Sequence, residues 1–119
     1  MSPEKANIFF IEDDISFRSI HTRLLESQGH SVLLSAETLE EAVDKINLIK
    51  EKGINVVILD GNLNEEELSG ADGAYLARLL KELHPEVLIV GCSSKEIIGV
   101  DANSFKHEGP RLLQVVKEL

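Results

Sequence analysis

Val56-Val57-Ile58-Leu59-Asp60 decides the fold. Four apolar residues in a row, closed by an acid, have no helical spacing and are too few for a helix. Such a run reads as a strand buried on both faces, which occurs in parallel sheets covered by helices. The acid that ends it then stands at the mouth of the sheet. A second run, Ile8-Phe9-Phe10-Ile11, ends in the same way in Glu12-Asp13-Asp14. The two sets of carboxylates are expected to converge at one sheet edge, and converging acids call for a cation.

Working outward from these runs, strand-like and helix-like periods alternate, the pattern of an α/β, doubly wound parallel sheet. After the first strand, Phe17, Ile20, His21, Leu24 and Leu25 fall at helical spacing, and Gly29 provides a left-handed stop. A short strand follows over 31–35. Thr38 with Glu41 three residues later is a capping box, and Leu39, Ala42, Val43, Ile46 and Ile49 mark one apolar stripe that ends at Gly53. Beyond Asp60, the stretch 62–72 carries Glu65-Glu66-Glu67 and reads as an acidic, solvated loop. Tyr75, Leu76, Leu79, Leu80 and Leu83 mark a third helix, closed by Pro85. A fourth strand covers 87–92. The pattern then weakens: 95–98 has room for about one helical turn, and 103–105 for a short edge strand. A last helix begins at Gly109-Pro110 and turns Leu112, Leu113 and Val116 inward.

The whole chain, 1–119, reads as one domain, since 119 residues with 43% hydrophobic content suffice for a core and no linker interrupts them. The formal charge of -9, without any basic run, opposes contact with the phosphates of nucleic acids. A single cysteine, Cys92, forbids an internal disulfide and fits a reducing compartment. Residues 1–7 are polar and no segment reaches membrane-spanning length, so a cytoplasmic chain without signal peptide or membrane contact is expected.

In open doubly wound sheets, ligands bind beyond the carboxyl ends of the strands, where the strand order reverses. The polar residues fall there: Glu12 and Asp13 after the first strand, Asp60 after the third, Ser93 after the fourth, and Lys106 before the last helix. Clustered carboxylates need a hard cation, and oxygen-only ligands suit Mg2+ better than zinc. An Asp60 carboxylate oxygen is then placed to attack a phosphoryl group, while the Lys106 ammonium and the Ser93 hydroxyl hold two of its oxygens.

These residues resemble the receiver domain of two-component response regulators. The resemblance runs over nearly the whole chain and implies a flavodoxin-like sheet of five parallel strands in the order 2-1-3-4-5. It implies Glu12 and Asp13 as the acidic metal pair, with Asp14 a spare acid. It implies Asp60 as phosphoacceptor within Val57-Ile58-Leu59-Asp60-Gly61-Asn62, and Asn62 as the donor of a backbone carbonyl to Mg2+. Ser93, within Ile89-Val90-Gly91-Cys92-Ser93-Ser94, is the counterpart of the switch hydroxyl, and Lys106 of the family's lysine. The phosphoryl donor implied is the phosphohistidine of a sensor histidine kinase or of a histidine phosphotransfer protein.

The chain departs from the family pattern at three places. The interval from Ser93 to Lys106 is too short for a full fourth helix and fifth strand, so the fourth helix should be stunted or absent. The family's aromatic, three residues before the lysine, falls on Asn103. His107 stands where proline is usual after the lysine. All three changes fall on the face that such domains use for output and for homodimer formation.

The leading expectation is therefore a phosphoacceptor domain, not itself an enzyme, that signals through protein contacts. A receiver-fold scaffold unresponsive to phosphorylation is the alternative. A small hydrolase using Asp60 as a transient nucleophile is disfavoured, because Asp60-Gly61-Asn62 offers no general acid two residues on. His21 reads as a boundary histidine and Cys92 as a buried, inert strand residue.

Overall fold

Ile8, Phe9, Phe10 and Ile11 have no exposed surface, as an apolar run without polar alternation requires. They form β1 (Asn7–Ile11), the second strand of a five-stranded sheet. The structure, a computed structural model, describes residues 6–59, 71–93, 97, 99–105 and 116. Chain order runs β1, α1 (Ile15–Ser27), β2 (Ser31–Ala36), α2 (Leu39–Lys45), α3 (Leu48–Lys52), β3 (Val56–Leu59), α4 (Ala71–Leu83), β4 (Leu88–Ser93) and β5 (Ala102–Phe105). The strands lie in the order β2-β1-β3-β4-β5, and every pairing is parallel. This is the flavodoxin-like doubly wound order that the sequence implies.

Alternate side chains of the central strands feed two core layers. Phe9, Ile11, Val57, Leu59 and Ile89 meet Ala42 of α2, Ile46 just past it, Ile49 of α3, and Leu76, Ala77 and Leu80 of α4. Ile8, Phe10, Val56, Ile58, Val90 and Cys92 meet Leu25 of α1 and Val116 on the other face. Helices therefore cover both faces, and the two long apolar runs are the middle of the molecule.

The first helix departs from its sequence pattern. Leu25 is buried and Phe17 half-buried, but Ile20 and Leu24 are 56% and 38% exposed. Helical spacing marks a wider stripe than the part the sheet covers. The stripe from Leu39 to Ile49 is carried by two helices rather than one. At Ile46 and Ile49 the amides donate to carbonyls three residues back, Val43 and Ile46, at 3.3 and 3.1 Å. This tightened turn breaks the α ladder while leaving both isoleucines buried. The third helix of the sequence pattern, α4, starts at Ala71, so the stretch read as a loop to residue 72 ends earlier.

At the edge, Ile8 pairs with Val32 and Phe9 with Leu34. Leu33 is thus the extra residue of a β-bulge and is 44% exposed. At the other edge, residues 94–101 must carry the chain from β4 back to β5, fewer than the roughly dozen residues a parallel crossover usually takes. The described members, Ile97, Gly99, Val100 and Asp101, are not helical, in accord with a stunted fourth helix. Side chains fix this short return. Asn103 Oδ1 accepts from the Ile97 amide at 3.0 Å, and Asp101 Oδ2 accepts from the Ile89 amide and from Lys81 Nζ, each at 2.7 Å.

Candidate functional site

The strand tips determine which side chains meet. Ile11, the last residue of β1, pairs with Ala36 on one side and Leu59 on the other, and Leu59 pairs with Gly91. Hence β1, β2 and β3 end level, and the chain order reverses between β1 and β3, where an open α/β sheet forms its crevice. Glu12 and Asp13 follow β1 directly at this point.

Glu12 is held from several directions. Its amide donates to the Ala36 carbonyl at 2.9 Å, continuing the β1–β2 ladder one residue past the strand. Its own carbonyl accepts from Arg18 Nη1 at 2.8 Å, and its Oε2 accepts from the Asp14 amide at 3.2 Å. The residue has no exposed surface, whereas Asp13 beside it is half-buried. A carboxylate is rarely buried without compensation, because the charged form loses its hydration. Its position at a strand end beside a second acid makes it a candidate for function.

Asp14 has a structural part that the sequence pattern did not reveal. It is the N-cap of α1, with Oδ1 accepting from the Phe17 amide at 3.0 Å. Two further residues escaped sequence reasoning. Arg18, on the inward side of α1, reaches the Glu12 carbonyl and also pairs with Glu37 Oε1 at 3.0 Å. A basic residue on an otherwise apolar helix face, one turn after an acidic pair, was the available signal.

Ser93 is the last residue of β4, and its backbone pairs with Phe105 at the end of β5. Lys106 follows Phe105 in sequence. Asp60, Asn62 and Lys106 lie outside the described residues, as do Glu65 to Glu67 and His107. Asn103, which the resemblance sets at the position of the family's aromatic, is tied to the Ile97 backbone, its Nδ2 also donating to the Ile97 carbonyl at 3.5 Å.

The match to the family model of the response regulator receiver domain spans residues 8–109, most of the chain. The chain belongs to the receiver domain family. No curated protein matches it in sequence. Among solved structures, this receiver domain is similar to a CheY-like response regulator receiver domain protein from Methanospirillum hungatei, with 24% identity over 95% of this chain and 91% of that one and a TM-score of 0.75. A LuxR-family response regulator from Aurantimonas sp. shares 19% identity over 96% of this chain and 84% of its own, with a TM-score of 0.77. A DNA-binding response regulator of the same class from Staphylococcus aureus shares 21% identity over 94% and 93% of the two chains, with a TM-score of 0.70. At these identities the likeness is one of fold.

The receiver fold implies a divalent cation, and the described residues can be tested against it. Glu12 and Asp13 offer only carboxylate oxygens, hard donors that fit Mg2+ and not a thiophilic metal. Among the described residues, no three His, Cys, Asp or Glu side chains are grouped to hold a metal ion. The acidic pair fits a hard cation in its donor chemistry, and two carboxylates alone do not complete a site.

Proposed function

We propose that the chain is a phosphoacceptor receiver domain in which Asp60 takes a phosphoryl group from the phosphohistidine of a sensor histidine kinase or a histidine phosphotransfer protein. The observation that carries the reading is Glu12, a fully buried carboxylate beside Asp13 at the end of a central strand of a receiver sheet. Glu12, Asp13, Asp60 and the Asn62 carbonyl would hold Mg2+, which when bound supplies the charge that neutralises phosphoryl oxygens.

The remaining work falls to the side chains. An Asp60 carboxylate oxygen bonds to phosphorus as the phosphorus–nitrogen bond of the donor breaks, and the imidazole leaves with that electron pair. The Lys106 ammonium pairs with one phosphoryl oxygen and the Ser93 hydroxyl donates to another. The domain passes on a signal through protein contacts and is not an enzyme. Direct nucleic-acid contact is opposed by its charge of -9. Among the described residues, no helix is long and apolar enough to cross a membrane, and a cytoplasmic setting fits the proposed partners. A homodimer is a compatible form of output.

Incubation with acetyl phosphate or phosphoramidate tests the assignment. Intact-mass spectrometry should show one added phosphoryl group that requires MgCl2 and is lost in Asp60→Asn. Labelling that survives that substitution, or proceeds equally in EDTA, overturns it.

One observation favours a second reading, the receiver-fold scaffold. Asn103 stands where the family's aromatic is found, with hydrogen bonds to the Ile97 backbone in place of a free ring. If phosphorylation leaves the amide NMR resonances of β4, β5 and their connection unchanged, the scaffold reading holds.

A further inference from the structure

The site described above uses acids at the sheet edge, yet Arg18 is set directly behind them. Its side chain is only 16% exposed, so the guanidinium has largely left bulk water and needs its partners. It has two. Nη1 donates to the Glu12 carbonyl at 2.8 Å and Nη2 pairs with Glu37 Oε1 at 3.0 Å. Glu37 itself follows β2 and is 46% exposed. One planar fork thus joins the tip of β1 to the residue following β2, from a position on α1.

This arrangement meets two requirements of a cation site at once. The Glu12 amide is already fixed by the Ala36 carbonyl at 2.9 Å, so the Arg18 bond to its carbonyl fixes the second half of the same residue. The Glu12 backbone, from which its carboxylate branches and to which Asp13 is joined, is then set before any ion arrives. A positive charge behind a cation site would oppose the ion, however, and Glu37 cancels it. We infer that Arg18 is a positioning residue that fixes the Glu12–Asp13 pair for Mg2+, and that Glu37 is the counter-charge allowing a guanidinium to do so without repelling the cation. The inference rests on the proposed Mg2+ site and assigns its tuning to residues that do not ligate the ion.

Lysine cannot replace this arginine, because one ammonium on a flexible stem does not reproduce a planar fork aimed at two acceptors. Outer residues that orient metal ligands commonly change affinity by about ten-fold or more when removed. The charge role of Glu37 predicts a smaller, salt-sensitive effect, because an exposed charge is screened over about 10 Å at 0.1 M salt.

The test is a titration of the whole chain with MgCl2, read from the amide NMR resonances of Glu12 and Asp13, at low and at high KCl. Wild type should show a saturable shift. Arg18→Ala and Arg18→Lys should both weaken Mg2+ about ten-fold. Glu37→Gln should weaken it about three-fold at low salt and little at high salt. Thermal unfolding of each variant identifies any that fail to fold. Should Arg18→Ala unfold, Arg18→Lys and Glu37→Gln carry the test. Wild-type affinity in a folded Arg18→Lys, or a Glu37→Gln effect that ignores salt, overturns the inference and leaves the Mg2+ site standing. Absence of any Mg2+-dependent shift in wild type removes the site itself and the inference with it.

Discussion

Two residues outside the acidic pair carry clear physical consequences. His30 Nδ1 accepts a hydrogen bond from the Ala6 amide at 2.8 Å, which ties the turn after α1 to the start of β1. An acceptor nitrogen must be unprotonated, and burial pushes the His30 imidazole below its ordinary value of 6.5. The unfolded chain therefore takes up this proton at a higher pH than the folded one. Stability is full above about 6.5 and falls as the pH drops toward the folded-state value, with no further loss from this group below it. Urea unfolding at about pH 7.5 and about pH 5.5 should show the loss, and His30→Gln should reduce the difference. The second residue is Gly91. A Cβ there would lie 2.6 Å from Asn103 Oδ1 and 3.1 Å from Ile97 Cδ1. Gly91→Ala should cost about 1–3 kcal/mol in urea unfolding, as overpacking does. In the Asn103→Ala background the cost should shrink, a coupling that a double-mutant cycle measures. The presence of a glycine in β4 was visible in sequence; its reason was not, because Asn103 reaches it through β4–β5 pairing and Ile97 through the fold of the return between them.

Elements show the same division. The N-cap half of the capping box was legible because its atoms are local: Thr38 Oγ1 accepts from the Glu41 amide at 3.1 Å, while Glu41 Oε1 pairs with Lys45 Nζ. Thr38→Ala should lower stability by about 1 kcal/mol, measured from the urea midpoint. Gly29 and Gly53 end their helices with φ of 93° and 68°, where a side chain is strained. The break between α2 and α3 was not legible, since the apolar stripe continues across it and only the hydrogen-bond spacing changes. Nor was the exposure of Ile20 and Leu24, because periodicity shows which residues share a helix face and not how much of that face the sheet covers. The return from β4 to β5 lies between these cases. Its brevity was counted directly in sequence, whereas the fixing of that return by Asn103, Asp101 and Lys81 depends on partners 6 to 20 residues away.

For the molecule as a whole, charge and topology act together. With a formal charge of -9, the chain should be stabilised by Mg2+ at the proposed Glu12–Asp13 site, since that cation would bind only the folded state. MgCl2 should raise the unfolding temperature in a concentration-dependent way, and Glu12→Gln should remove most of that rise in a thermal-shift measurement at constant ionic strength. An equal rise in both proteins would assign it to general screening. The sequence by itself determined the strand and helix alternation, the acids at the strand ends and the missing length after β4. Each of these is written in neighbouring residues, through apolar period, capping and chain length. Only the tertiary structure decided that Glu12 is fully buried, that Arg18 and Glu37 stand behind it, and that Asn103 closes on Gly91. Those facts arise from parallel pairing and from the packing of α1 against the strand ends, and local sequence carries no record of which side chains such packing will bring together.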